Sequence, residues 1–587
     1  MKQFFKFMFA SMLGFFLCIF VVTIIFFIFI AALVASVDKK ETTRISANTV
    51  LEIRLDQPVT QRTENNPLKS FDFGKMKSNF QPGLNDIVEC IDKAADDKDI
   101  KGIYLNVENV SGGLATIEEI RNALLRFKKS NKFIISYGEF YSQNAYYLSS
   151  VADQIYLNPE GEIDLRGYAA TLMFMKGALD KLEIEPEVIR HGKFKSAIEP
   201  FIADKMSDAN REQVKRFVDD FWNHTKDGIA TSRKKSSEEI ENIADSMKVE
   251  SAEDAVKYGL ADKLMYEDEL MDLLKTKSGT KDEKPKLVSL TKYNKTESKV
   301  GFEKDKIAVI YAVGEISSGK GDDESIGSET TVADIRKARL DKNVKAIVLR
   351  VNSPGGSALA SDVIWREVVL AKKAKPVVVS MGDLAASGGY YISCAADKIV
   401  AQPNTITGSI GVFGLLFNMQ KLFNNKLGLT FDTYKTGPYG DLGLPTRPLT
   451  ESERMKMQNS VERVYDTFTK RVADGRHINQ ADVDSIGQGR VWSGNDALRI
   501  GLVDTLGNLG DAIKIAARLS KTDKYRIYEL PEQKDTFQEI IKELNGDVQS
   551  SFIKNELGDN AKYYQSIKQL VTRQGIQMRM DFDVEVK

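Results

Sequence analysis

The chain contains the same segment of roughly 240 residues twice, and this duplication limits its fold more than any other feature. The offset between matched positions is 244 at Lys345/Lys101, at Asp397/Asp153 and at Pro403/Pro159, and it is 242 further on, where Asp496–Leu502 matches Asp254–Leu260. The Gly355-Gly356 pair likewise matches Gly112-Gly113. A repeat of this length indicates a duplicated domain rather than a short solenoid unit.

The two copies differ at positions where side chains could carry chemistry. Ser387 of the second copy corresponds to Gln143 of the first, and Lys195 of the first copy corresponds to Gly440 of the second. A nucleophile in one copy and a base in the other predict one composite site per chain.

Each copy alternates short apolar runs with amphipathic segments. In the second copy, Val344–Val351 is predicted as a strand, 357–374 as a helix and Pro376–Ser380 as the next strand, with a further helix starting near Ala385. Such alternation predicts a parallel sheet with crossover helices. We therefore expect an α/β protein.

The repeat also sets the expected domain boundaries. The first copy should cover residues 45–275 and the second residues 307–520, joined by a polar linker over 276–306. Residues 521–587 are predicted to lie outside the repeat. No role is assigned to this C-terminal extension.

An uncharged run, Phe7–Val37, precedes both copies. About 20 apolar residues span a bilayer, whereas the apolar part of a cleaved signal peptide has only about 7–15. Small residues at 31–35 leave signal cleavage as the alternative, but the length favours a retained single-pass anchor. The flanking charges nearly balance, so we expect the bulk of the chain outside the cytoplasm only because an N-terminal anchor usually exports the long soluble region attached to it.

The composition excludes some classes of function. The net charge of −1 gives no electrostatic reason to expect binding of nucleic acid. The three cysteines, Cys18, Cys90 and Cys394, lack CxxC spacing, which predicts free thiols and neither a disulfide framework nor a metal site. No cofactor is expected.

Ser387 lies in a segment of small residues, Asp383–Tyr391, between a strand and a helix. A serine at a helix start has its hydroxyl beside free backbone N–H groups, and such donors can stabilise an oxyanion. The alternative is that Ser387 only caps the helix, with the glycines allowing close packing.

A serine nucleophile needs a base. His477 is the only histidine of the second copy and is predicted to lie in a turn that ends a helix, so a Ser-His-Asp triad is disfavoured. A lysine can serve if burial lowers its pKa towards neutrality. Lys195, flanked by Phe194 and Ala197, is the candidate because of its apolar neighbours and its position in the repeat.

Four motifs together resemble a known family. They are Val351–Gly356 (VNSPGG), Met381–Tyr390 (MGDLAASGGY), Thr407–Val412 (TGSIGV) and Lys195–Phe201 (KSAIEPF). In this order they are similar to the long, duplicated form of the bacterial signal peptide peptidase A family, also called protease IV. The resemblance covers about residues 45–520 and the anchor as well.

The resemblance implies tandem ClpP/crotonase-like domains behind a transmembrane helix and a serine–lysine dyad. By this match Ser387 is the nucleophile, Lys195 the general base, and the N–H groups of Gly356 and Gly388 the oxyanion hole, with Gly355 as an alternative to Gly356. Ser409 resembles the serine that orients the lysine, although a role in turn geometry is equally open.

The resemblance further implies a homotetramer in the bacterial inner membrane that degrades cleaved signal peptides and other short hydrophobic peptides. The histidine of a Clp-type triad is absent, because Gly411–Gly414 stands where it would lie. Two alternatives stay open at this point: an acyl-CoA-type enzyme on the same fold, and a catalytically inactive membrane scaffold.

Overall fold

The computed structural model describes residues 2–38, 45–64, 71–72, 77–78, 80–296, 303–533 and 576–580. It begins with one long helix, α1 (Lys2–Asp38). Within α1, Gln3–Ile25 is long and apolar enough to cross a membrane and packs against nothing else in the described chain. Apolar side chains such as Phe7 and Leu13 are accordingly exposed.

The first domain is built on a six-stranded sheet in the order β8-β6-β5-β4-β1-β9, in which all neighbouring strands are parallel. The strands of the first half of the chain, including three that lie outside this sheet, are β1 (Thr49–Ile53), β2 (Phe71–Asp72), β3 (Lys77–Ser78), β4 (Ile100–Leu105), β5 (Phe133–Tyr141), β6 (Gln154–Ile163), β7 (Glu185–His191), β8 (Lys263–Leu264) and β9 (Lys286–Ser289). Its helices are α2 (Leu84–Asp96), α3 (Leu114–Lys128), α4 (Gln143–Ser149), α5 (Lys176–Leu182), α6 (Glu199–Ile202), α7 (Asp208–Arg233), α8 (Ser237–Asp245), α9 (Ala252–Lys257), α10 (Glu267–Ser278) and α11 (Leu290–Asn294).

The second domain repeats this plan around an eight-stranded sheet whose main path is β19-β17-β15-β13-β10-β21. Its strands are β10 (Lys306–Val313), β11 (Glu315–Ser317), β12 (Ser325–Gly327), β13 (Val344–Ser353), β14 (Gly355–Ser357), β15 (Val377–Ala386), β16 (Lys398–Ala401), β17 (Ile406–Gly408), β18 (Val412–Asn418), β19 (Val491–Ser493), β20 (Thr505–Leu506), β21 (Arg526–Leu530) and β22 (Gln577–Arg579). Its helices are α12 (Ser328–Leu340), α13 (Ala358–Ala374), α14 (Gly388–Ser393), α15 (Glu451–Arg476), α16 (Gln480–Ile486), α17 (Gly494–Arg499) and α18 (Leu509–Leu519). Strands β10, β13 and β15 are buried on both faces, as a sheet covered by helices requires.

A third sheet joins the two domains. Its order is β12-β11-β14-β22-β18-β7, so that β7 of the first domain lies at its edge and the other strands come from the second half of the chain. Strands β7 and β18 pair antiparallel over their whole length, from Val412 opposite His191 to Asn418 opposite Glu185. This pairing brings the residues just after β7 close to those just before β18.

A buried polar cluster also connects the domains. The Arg350 guanidinium donates to Glu119 Oε1 at 2.7 Å and to Gln61 Oε1 at 2.7 and 2.9 Å. The carboxylate of Asp383, four residues before Ser387, accepts from the backbone N–H of Thr116 at 2.8 Å. Arg350 and Glu119 are 1% and 3% exposed, so the pair is shielded from water.

The segments predicted as a linker and as a C-terminal extension each contain a strand. The predicted linker 276–306 contains β9, which pairs with β1, and the predicted extension contains β21, which pairs with β10 in the same way. Both are edge strands with half-exposed residues such as Leu287 and Ile527, which is why their composition resembles that of a linker. Residues 297–302 of the linker, and 534–575 and 581–587 of the extension, lie outside the described residues.

Candidate active site

Ser387 lies at the junction of β15 and α14. The strand continues to Ala386 and the helix begins at Gly388, so the predicted start near Ala385 is about three residues early. Ser387 has φ 53° and ψ −113°, a backbone conformation that is strained for a residue with a side chain. Its N–H donates to the Gly408 carbonyl at 2.8 Å, which fixes the turn, and its side chain makes no capping hydrogen bond. The strain and the missing cap favour a chemical role over capping.

Lys195 of the first domain follows β7, and its side chain contacts residues of the second domain. Its side chain is completely buried. Nζ lies 3.1 Å from Ser387 Oγ and 2.9 Å from Ser409 Oγ, although 192 residues separate the lysine from Ser387 in the chain. The nucleophile and base predicted from the sequence are thus within hydrogen-bonding distance, and both side chains are buried.

Ser409 is held by the strand β17 before it and β18 after it. Its N–H donates to the Arg490 carbonyl at 2.7 Å, and its own φ is 48°. Because its backbone is held in this way, the Ser409 hydroxyl is positioned to form a hydrogen bond with the Lys195 amine. Ser409 thus lies in a turn and contacts Lys195, and its role in orienting the lysine stays a prediction.

A close backbone approach that sequence reasoning missed makes room for the lysine. A Cβ on Gly489 would lie 2.6 Å from Cβ of Lys195 and 2.6 Å from its backbone N, so only glycine fits there. The neighbouring Gln488 carbonyl accepts from the N–H of Phe194 at 2.8 Å. Gly489 stands in a loop with no recognisable motif, and therefore no sequence signal pointed to it.

Two of the three glycines considered for the oxyanion hole, Gly355 and Gly388, approach each other closely. Gly355 and Gly356 have φ of 97° and 154°, values that favour glycine. A Cβ on Gly355 would lie 2.6 Å from the backbone N of Gly388, the first residue of α14. The N–H of a first helical residue has no partner within its helix, so it is available to a ligand.

The equivalent place in the first domain is filled by an amide. The side-chain oxygen of Gln143 accepts from the N–H groups of Gly167 and Arg166 at 2.8 and 3.0 Å. An amide engaged in this way offers no nucleophile. The structure thus brings all five predicted site residues together in one place, and the matching place in the first copy contains Gln143.

Comparison with known sequences gives the class of protein. The profile of peptidase family S49 matches the chain twice, at residues 126–281 and 370–523, and that of the Clp proteases matches residues 307–407. Two α/β repeats of this kind are ClpP/crotonase-like domains, which confirms the predicted fold class. The chain is a serine protease.

Three relatives show which form of this protease family the chain resembles. The chain is 38% identical to protease 4 of Salmonella typhi, with 81% of this chain and 79% of the relative covered. It is 35% identical to the chloroplastic serine protease SPPA of Arabidopsis thaliana (86% and 76% covered) and 37% identical to protease 4 of Haemophilus influenzae (74% and 72%). The chain belongs to peptidase family S49, in the long, duplicated form represented by these proteases.

Proposed function

We propose that this protein is a membrane-anchored endopeptidase that cleaves short hydrophobic peptides, including cleaved signal peptides, with Ser387 as nucleophile and Lys195 as general base. The observation that carries the proposal is the distance of 3.1 Å between Lys195 Nζ and Ser387 Oγ inside a buried site. Burial disfavours the charged form of an amine, because water is withdrawn from the charge. A neutral amine can accept the serine proton.

The reaction follows from this geometry. Nζ takes the proton of the Ser387 hydroxyl while Oγ attacks the carbonyl carbon of the peptide. The N–H groups of Gly356 and Gly388 stabilise the negative oxygen of the tetrahedral intermediate. As the C–N bond breaks, Lys195 returns the proton to the leaving amine, and a water molecule then hydrolyses the acyl-enzyme by the same steps in reverse order. The contact with Ser409 Oγ orients the lysine.

The two alternatives are less well supported. An inactive scaffold would have no need of a strained serine beside a buried lysine. An acyl-CoA-type enzyme would be expected to pair its oxyanion hole with an acidic residue. Among the described residues, the side chain that hydrogen-bonds to Ser387 is that of Lys195, which also contacts Ser409.

The membrane location rests on α1. Its apolar segment covers 23 residues with a mean hydropathy of 2.6 and is unburied by the rest of the described chain. A helix of about 20 such residues is long enough to span a bilayer. We infer a single pass through the bacterial inner membrane with both proteolytic domains on the extracytoplasmic side, close to where membrane-embedded peptides are released.

The assembly into a homotetramer is proposed from the resemblance, and the repeat suggests how copies meet. Residues 430–436 correspond to β7 and residues 168–174 to β18. Ile189 of β7 is 2% exposed and belongs to the core of the second domain, whereas the corresponding Tyr434 is 94% exposed. We infer that segment 430–436 of one copy pairs with segment 168–174 of the next, which repeats between chains the contact made within each chain.

The dyad is tested with two variants in the full-length protein. Ser387→Ala and Lys195→Ala should each lower kcat on a fluorogenic hydrophobic peptide by a factor of about 10³ or more, as expected for residues acting as one unit. Lys193→Ala is the matched control, because Lys193 lies two residues away and is exposed. Normal turnover by either dyad variant would refute the mechanism.

A further inference from the structure

The C-terminal strand β22 occupies an unusual position. It lies between β14 and β18 in the sheet that joins the domains and is antiparallel to both. Strand β14 contains Gly355 and Gly356, and β18 starts three residues after Ser409. The strand therefore runs alongside the candidate oxyanion hole, where an extended peptide substrate would have to bind.

The register of β22 places one carbonyl at the oxyanion donors. The N–H of Ala358 donates to the Ile576 carbonyl at 3.3 Å, and the N–H of Met580 donates to the Pro354 carbonyl at 2.6 Å. Hydrogen-bonded pairs alternate in an antiparallel ladder, so the intervening pair, Gly356 opposite Met578, is also hydrogen-bonded. The Met578 carbonyl oxygen would lie 3.0 Å from a Cβ built on Gly388.

The side chains of this segment are buried like those of a bound peptide. Met578 is 0% exposed and belongs to the core of the second domain. Met580 is 4% exposed and packs with Phe217 and Val491, while Ile576 lines a cavity of about 200 Å³ beside Met457 and Val461. The side chains of Ile576, Met578 and Met580, which alternate along the strand, thus each lie in apolar surroundings.

We propose that residues 576–580 act as a built-in substrate mimic that competes with peptides for the active-site cleft. This inference rests on the proposed function. Met578 takes the place of the residue before the cleaved bond, because its carbonyl faces Gly356 and Gly388. A substrate must displace the segment, and the substrates that do so best carry apolar side chains at the positions equivalent to 576, 578 and 580.

The competition is measured by binding rather than by turnover. In full-length Ser387→Ala protein, the Kd of a fluorescently labelled peptide with the sequence of residues 574–582 is determined by anisotropy. Adding Met578→Asp places a charge in an apolar site, which should release the segment. The double variant should bind the peptide about tenfold more tightly if the segment occupies about nine-tenths of the clefts.

Met247→Asp in the same Ser387→Ala background is the matched control, since Met247 is 58% exposed. It should leave Kd unchanged. Equal Kd values with and without Met578→Asp would overturn the proposal, provided both proteins melt cooperatively.

A second measurement covers the case in which Met578→Asp does not fold. Saturating unlabelled peptide should increase hydrogen–deuterium exchange across residues 576–580 of Ser387→Ala protein. Unchanged exchange despite saturation would also overturn the proposal. Neither readout requires catalysis, so activity that persists in Ser387→Ala would refute the dyad without affecting this result.

Discussion

At the scale of single residues, the site depends on backbone strain at Ser387. A residue with a side chain held at positive φ costs of order 1–3 kcal/mol, and the surrounding structure must supply that energy. The hydrogen bond from Ser387 to Gly408 and the burial of both neighbouring strands hold the turn in place. This turn places Ser387 Oγ 3.1 Å from Lys195 Nζ.

Ser409 gives the first prediction. Ser409→Ala removes the 2.9 Å hydrogen bond to Lys195 Nζ but leaves the 3.1 Å contact to Ser387. We expect kcat to fall about tenfold, in line with the loss of one hydrogen bond of about 1.5 kcal/mol, while KM changes little. Ser409→Thr, which keeps a hydroxyl, should recover part of kcat; a Ser409→Ala enzyme with full kcat would contradict this role.

Asp334 of α12 gives a prediction on pH. Burial raises the pKa of this carboxyl from 3.8 to about 6, despite the opposing effect of Lys337. The folded protein therefore holds the proton more tightly than the unfolded chain, and the stability that the protonated group contributes is lost as pH rises through about 6.

Asp334→Asn cannot ionise and should therefore melt at a higher temperature than the parent protein at pH 8. The two melting temperatures should converge as the pH is lowered towards 4. Thermal unfolding at several pH values checks this, and a difference independent of pH would contradict it.

Sequence reasoning predicted two candidate reactive residues that the structure brings into contact, but it did not predict their surroundings. Ser387 and Lys195 were predicted because their motifs are local and because each is missing from the other copy. Gly489 could not be predicted, since its need for glycine arises from a contact with Lys195, which is 294 residues away in the chain. Arg350 was likewise expected only as part of a strand, and its burial depends on Glu119 and Gln61 of the other domain.

At the scale of elements, the interface between the domains includes a strand pair and a buried ion pair. Strands β7 and β18 fix the register between the halves, and Arg350 on β13 reaches Glu119 on α3. A buried charge left without its partner is strongly destabilising, whereas removing both charges often costs little.

Arg350→Met should therefore lower the free energy of unfolding by about 3–5 kcal/mol, because Glu119 loses its partner. The double variant Arg350→Met/Glu119→Gln should recover part of that loss. Arg366→Met, an exposed arginine on α13, is the control and should change stability by no more than about 0.5 kcal/mol. Denaturant titrations measure all three, and a single variant as stable as the control would contradict the assignment.

The elements were predicted well where they are buried and poorly where they lie at an edge. The continuous apolar runs of β10, β13 and β15 have few alternatives to a covered parallel strand. Strands β9 and β21 are short, half exposed and rich in polar residues, so that only their pairing partners identify them. Strand β22 and its pairing with β14 and β18 could not be predicted from the sequence, because a strand of three residues contains no recognisable periodicity.

At the scale of the whole molecule, the proposed assembly pairs segment 430–436 of one chain with segment 168–174 of the next. Tyr434→Asp should weaken the proposed pairing between copies, because it places a charge on the surface that corresponds to buried Ile189. We expect a smaller particle mass for the full-length protein in detergent by light scattering. Leu340→Asp, at a residue 65% exposed elsewhere, should leave the mass unchanged, and an unchanged mass for Tyr434→Asp would argue against this contact.

The pairing of β7 with β18 has a consequence for biogenesis. Lys195 has been synthesised long before Ser387, and the two meet only after both halves have folded and aligned in register. A chain still emerging from the ribosome or the translocation channel thus carries only one member of the proposed pair. The division of this pair between two copies makes completed folding a precondition for the proposed activity.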